Sequence, residues 1–218
     1  DVSVATGRAN AARIAINEAI RLHGDPDAHL LRRAFIAAMD GDEEGAMTHF
    51  RRAIRLQPGV GFAHWMYSSL ASDAERATLI RDDLITAEER LHPGDGPLDF
   101  LAGAWSRLDD QERAQRNMDL GLQRDCSRAK DAASQKNCTA WYHALAGLDL
   151  DRAHDLVTEA LGERPNRAEY LDTLAVVLEA QGNTVAAREA AWKAATQVPD
   201  DVYLVTQALR LDARVTSN

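Results

Sequence analysis

The sequence predicts an all-α fold, a solenoid of stacked helix pairs, and three observations carry that expectation. First, a 34-residue beat runs through the chain: Gly7 recurs as Gly41, Ala12 as Ala46, Ile16 as Phe50, Ala19 as Ala53 and Leu22 as Leu56. Second, the residues that recur are mostly small and share a helix face, and the later pairs Ala153/Ala187 and Ala160/Ala194 keep both the spacing and the size. Third, prolines that cannot continue a helix close the unit, at Pro58, Pro165 and Pro199. The step from Ala46 to Ala153 is 107 residues, three periods of 34 plus 5, so the interior keeps the beat with a few residues inserted. A period of this size marks an array of helix pairs, and 218 residues hold a little over six of them.

The elements follow in order. A half-repeat, 7–24, opens the chain, because Gly7 through Leu22 matches only the second half of the next unit. Repeat 27–60 is the most regular. Asp27 can cap a first helix ending near Met39, and Gly41 makes the turn. Asp42, Glu43 and Glu44 then place negative charge at the next N-terminus, and Ala46, Phe50 and Ala53 form one stripe. Repeat 61–93 is degenerate, with a second helix from Glu75 to Leu91 carrying Leu79, Ile80, Leu84 and Leu91. The breaker Gly94-Asp95-Gly96-Pro97 forms an irregular joint, 94–97. Repeat 98–125 has Leu101, Ala104, Trp105 and Leu108 on its first helix and Ala114, Met118 and Leu122 on its second, with Asp109-Asp110 read as caps between them. A second joint, 126–133, carries most of the remaining insertion. Repeat 134–165 centres on Trp141 and Ala153, and repeat 168–201 is regular again through Leu171, Ala175, Gly182, Ala187, Ala194 and Pro199. A capping helix, 202–213, shields the last repeat, so 1–213 reads as one solenoid with a tail at 214–218.

Ala34, Ala46, Phe50, Ala53 and Pro58 place a small residue at positions 8 and 20, an aromatic at 24, alanine at 27 and proline at 32 of one unit. That pattern resembles the tetratricopeptide repeat, and the resemblance extends over nearly the whole chain, fading across 61–133. It implies a right-handed α-α superhelix whose first helices line a concave groove, and a non-catalytic task of holding a peptide or protein segment there. The groove position that follows the small packing residue is then filled by Phe35, Trp105 and Trp141, with Asn137 and Asp172 as polar contacts and Glu169 and Glu179 beside them. The competing reading is that these rings pack on the neighbouring helix. The Lys, Arg and Asn set with which relatives clamp a C-terminal carboxylate is absent, since the equivalent positions hold Leu31, Phe35, Asp172 and Val176.

Charge and motifs narrow the function. The chain has 25 basic against 34 acidic residues, a formal −9, and no basic stripe interleaved with aromatics, which excludes nucleic acid and favours a basic or apolar partner. Lysine occurs only at 130, 136 and 193, the mark of a GC-rich bacterial genome. No apolar run approaches the ~20 residues that span a bilayer, so direct membrane insertion is not expected. The seven histidines form no HExxH or i, i+4 pair, and no phosphate loop, GxSxG or dinucleotide turn occurs. No catalytic, cofactor or metal site is expected. Cys126 and Cys138 are compatible with a disulfide across an inserted loop. If 127–138 is one continuous helix, however, they stand about 16 Å apart by rise alone and remain free thiols.

Two functional readings follow. One is an interaction scaffold from a larger bacterial protein in an envelope or secretion assembly, with the absent initiator methionine and the cysteine pair favouring an exported over a cytoplasmic setting. The other is a cytoplasmic regulatory or substrate-recruiting module fused to an upstream enzyme or signalling domain. A bare half-repeat at 7–24 also offers a face for self-association.

Overall fold

The computed structural model describes residues 30–92 and 94–216. The half-repeat 7–24, the Asp27 cap and Pro93 lie outside the described residues. Eleven α-helices and no strand occur among those described. The chain divides into two compact units between Leu108 and Asp109.

The first unit holds α1 (Leu30–Met39), α2 (Glu43–Leu56), α3 (Gly61–Ser68), α4 (Ala74–Glu88) and α5 (Leu98–Arg107). The α1–α2 turn needs a left-handed residue, supplied by Gly41 at φ 76°. Asp42 then caps α2 by accepting from the Gly45 amide at 2.9 Å, and Asp73 caps α4 by accepting from Arg76 at 2.8 Å. Ala34, Ala46 and Phe50 are wholly buried where α1 and α2 meet. The degenerate repeat is tied by polar contacts instead of small residues. Asp83 on α4, nearly buried, accepts from Tyr67 of α3 at 2.9 Å and from Arg51 and Arg55 of α2 at 3.1 and 3.2 Å. Burial of Tyr67 and its bond to Asp83 raise its phenol well above the ordinary range. His64, also on α3, is wholly buried with Nε2 2.7 Å from the Pro58 carbonyl, and burial pushes it down to about 4. Gly61 permits α3 and α5 to approach, because a Cβ there would lie 2.5 Å from Pro97 and 2.6 Å from the Phe100 ring.

The second unit holds α6 (Gln111–Arg124), a single 3₁₀ turn (Cys126–Arg128), α7 (Ala132–Ala146), α8 (Leu150–Glu163), α9 (Ala168–Ala180), α10 (Thr184–Gln197) and α11 (Val202–Thr216). Gly147 at φ 69° and Gly182 at φ 82° make the turns after α7 and α9. Before α6 the left-handed slot, 68 residues after Gly41, is taken by Asp109 at φ 57°, and Asp110 caps the helix by accepting from Arg113 at 3.1 Å. Asp109 is thus a turn residue, not a cap. Alanine does the packing: Ala153, Ala160, Ala187 and Ala194 are all wholly buried. Ala187, Ala190, Ala191, Ala194 and Ala195 of α10 meet Leu171 and Ala175 of α9 and Leu204, Ala208 and Leu211 of α11 in one cluster. The last helix is also fixed by charge, since Glu179 accepts from Arg210 at 2.6 Å and from Arg214.

Between α6 and α7 the chain is not one helix. It runs through the 3₁₀ turn and an irregular stretch before Asp131 starts α7 by accepting from the Ser134 amide at 2.9 Å. That break brings the Cys126 and Cys138 Cα atoms to 5.4 Å, and the two sulfurs are bonded. The continuous-helix reading that kept them apart as free thiols is corrected on this point.

Candidate functional site

The five residues expected on a groove fall in both units. In the first unit Phe35 is buried, meeting Phe50 edge-on at 5.4 Å between ring centroids and Phe62 at 5.0 Å. Trp105 is wholly buried, and its indole Nε1 donates to Glu88 at 2.9 Å. Neither ring offers a face to a partner, so both take the packing role that was the competing reading. The aromatic positions that retain exposure here are Phe62 and Phe100, whose centroids stand 5.7 Å apart. Trp65 lies beside both, with the Arg107 guanidinium 3.9 Å above its ring. Sequence reasoning missed this row because Phe62 and Phe100 sit at helix starts, away from the small residues that set the register.

In the second unit Asn137 and Trp141 lie one turn apart on α7 and share a face, both partly exposed. Asn137 keeps its side-chain oxygen buried without a hydrogen-bond partner among the described residues. A buried acceptor left unmatched costs ~1–3 kcal/mol, a loss recovered when the partly exposed amide turns outward and meets a donor from another molecule. Asp172, at the corresponding position of α9, is only 5% exposed. Burial pushes its carboxyl up to about 7, against the opposing pull of the Tyr203 hydroxyl and Arg210 on α11. Asp172 is therefore a buried group inside the unit and does not meet a partner directly.

The electrostatics nearby are ordinary surface chemistry. Ser134 and Tyr170 hydroxyls are 3.1 Å apart, bridging α7 and α9, and Arg164 reaches Tyr170 at 3.2 Å and Asp131 at 2.7 Å. The Ser134 amide and then Arg164 hold the Asp131 carboxyl down near 2. Among the described residues no group of three His, Cys, Asp or Glu could hold a metal ion, and no helix is long and apolar enough to cross a membrane.

No protein-family model and no curated protein matches the chain. Among solved structures the chain is similar to a tetratricopeptide repeat protein from Parabacteroides merdae ATCC 43184, at 16% identity over 94% of this chain and 78% of that one, with a TM-score of 0.43. It is also similar to PilW, a widely conserved type IV pilus biogenesis factor, at 19% identity over 94% of each chain and a TM-score of 0.40. A third is YrrB, a TPR protein with an unusual peptide-binding site, at 19% identity over 90% of this chain and 98% of that one, with a TM-score of 0.35. The tetratricopeptide-like character of the fold rests on its own helix pairs, its left-handed turn residues and its 34-residue period.

Proposed function

We propose that this chain is a non-catalytic interaction module that holds a segment of another polypeptide, and that Asn137 and Trp141 on α7 make the contact in the second unit. The observation that carries the proposal is the unmatched Asn137 oxygen one turn from a partly exposed indole. A passing peptide brings apolar area against the partly exposed indole, and a backbone N–H for the Asn137 amide as it turns outward. Aromatic anchors of this kind dominate the energy of protein interfaces. The acidic net charge of −9 favours a basic or neutral segment over an acidic one.

The Cys126–Cys138 disulfide supports an oxidising compartment. On that ground an envelope or secretion assembly is favoured over a cytoplasmic module attached to an enzyme. Site-specific photocrosslinking tests the contact. A photoreactive phenylalanine at position 141 is expected to capture a discrete partner in the source organism. The same group at Val185, 54% exposed on α10, is expected to capture none. Identical adducts from both positions, or none from 141, would refute it.

A further inference from the structure

We infer that α11 is a pH-gated end of the second unit, closed over the Asp172 carboxyl of α9 in acid and opening more often as pH rises to neutrality. Asp172 is 5% exposed, and its Oδ1 is buried without a hydrogen-bond partner among the described residues. The groups acting on it from the α11 side are the Tyr203 hydroxyl, Arg210 and Asp201, with Glu179 on α9 itself. Two of these are carboxylates that repel an ionised Asp172. The cation, Arg210, is committed elsewhere: it donates to the two Glu179 oxygens at 2.6 and 2.5 Å and to Gln207 Oε1 at 3.0 and 2.8 Å. Gln207 Nε2, a buried donor on the same helix, also lacks a partner among the described residues, so it does not relieve Asp172. The cluster that α10 forms against α9 is alanine. From the side of α7 and α8, Ser134 and Arg164 reach the Tyr170 hydroxyl at the first turn of α9, and Arg164 is paired with Asp131.

Asp83 in the first unit shows what a buried carboxylate needs. It is 8% exposed and also faces a tyrosine, Tyr67, but Arg51 and Arg55 both donate to it. Asp172 has the burial and the tyrosine without a guanidinium bonded to it. An unpaired charge at such a site is costly, so the closed state keeps the proton.

Lifting α11 returns Asp172 to water, where it ionises near the ordinary 3.8, whereas burial pushes it up to about 7 in the closed state. Opening therefore releases one proton within that window, and each pH unit favours the open state tenfold until the closed state ionises too. Below the window both states are protonated and α11 is held fully. Leu204, Ala208 and Leu211 against α10, the Glu179 bonds to Arg210 and Arg214, and the Trp192 indole donating to Asp212 at 2.9 Å keep α11 in place throughout. The proton thus sets how often the helix opens, as a local event in a folded unit. None of this depends on the Asn137–Trp141 contact.

Native-state hydrogen exchange of the whole chain by NMR at pH 5, 6, 7 and 8 tests the inference, with rates expressed as protection over the intrinsic rate at each pH. The α11 amides and the Trp192 indole N–H are expected to lose protection about tenfold per pH unit from 5 to 7 and to level off above. The α8 amides are expected not to follow. In Asp172→Asn the α11 protection should stay constant across the range. A carboxyl carbon titration of Asp172 in the wild-type chain serves as a second measurement that needs no variant, with a midpoint near 7 expected. Constant α11 protection in wild type, an equal loss in α8, the same pH dependence in Asp172→Asn, or a midpoint near 4 would each overturn the inference.

Discussion

Asp172→Asn is the sharpest perturbation of the second unit, because the replacement keeps the shape and removes only the charge. Burial pushes the wild-type carboxyl up to about 7 in the folded chain, against an ordinary 3.8. Below 3.8 both states carry the proton and the group costs nothing. Between 3.8 and 7 the unfolded state has lost its proton and the folded state has kept it, so stability falls as pH rises, and above 7 the loss is complete. At ~1.4 kcal/mol per unit over about three units the loss is about 4 kcal/mol. Asparagine is neutral throughout, so the variant should match wild type near pH 4 and exceed it by up to about 4 kcal/mol at pH 8. Urea unfolding at half-unit intervals from pH 4 to 8, read on α9 and α11 amide resonances, gives the difference directly. A difference that does not change with pH, or a variant less stable at pH 8, would show that the carboxylate is not buried as described.

Three further outcomes follow from the same packing. Gly121→Ala would put a Cβ 2.1 Å from the Tyr142 ring, an overpacking worth about 1–3 kcal/mol, and thermal unfolding unchanged from wild type would contradict that contact. His64 works in the opposite pH sense to Asp172. Burial pushes it down to about 4 from an ordinary 6.5, so stability of the first unit should fall as pH drops from 6.5 to 4, seen as weakening urea resistance of α3 resonances; a flat profile there would count against the burial. Replacing Cys126 and Cys138 by serine opens a 12-residue link and should cost about 3 kcal/mol, with reducing agent lowering the wild-type melting temperature to match and leaving the variant untouched.

The helix pairs were legible in sequence because close helix approach forces small residues at fixed spacing, and Ala153, Ala160, Ala187 and Ala194 are all wholly buried at those contacts. Asp109 was legible in principle, since it stands two periods after Gly41, but its neighbour Asp110 made the pair look like a cap. Helix ends were less so: α4 stops at Glu88, short of the Leu91 suggested by its apolar spacing. Trp105 and Trp141 follow a small residue in the same way, and one is wholly buried while the other is partly exposed. Trp105 also donates to Glu88, 17 residues away, a contact that no local pattern reveals. The sequence left a Cys126–Cys138 disulfide open against free thiols because the helix start at Asp131 is a capping event inside a polar stretch with no apolar periodicity to announce it. His143 gave no sign at all. Its Nδ1 lies 3.2 Å from the Leu148 carbonyl, a contact that exists only in the folded chain.

The claim on which the functional account turns is that a partner rests on Trp141. The direct measurement is the affinity of the captured partner for wild type and for Trp141→Ala, with circular dichroism on both. Truncating a buried aromatic anchor costs about 2 kcal/mol, roughly thirtyfold in dissociation constant, and because Trp141 is partly exposed the helical signal should be retained. A thirtyfold loss with an unchanged spectrum is the result expected. Undiminished affinity in the folded variant would contradict the claim.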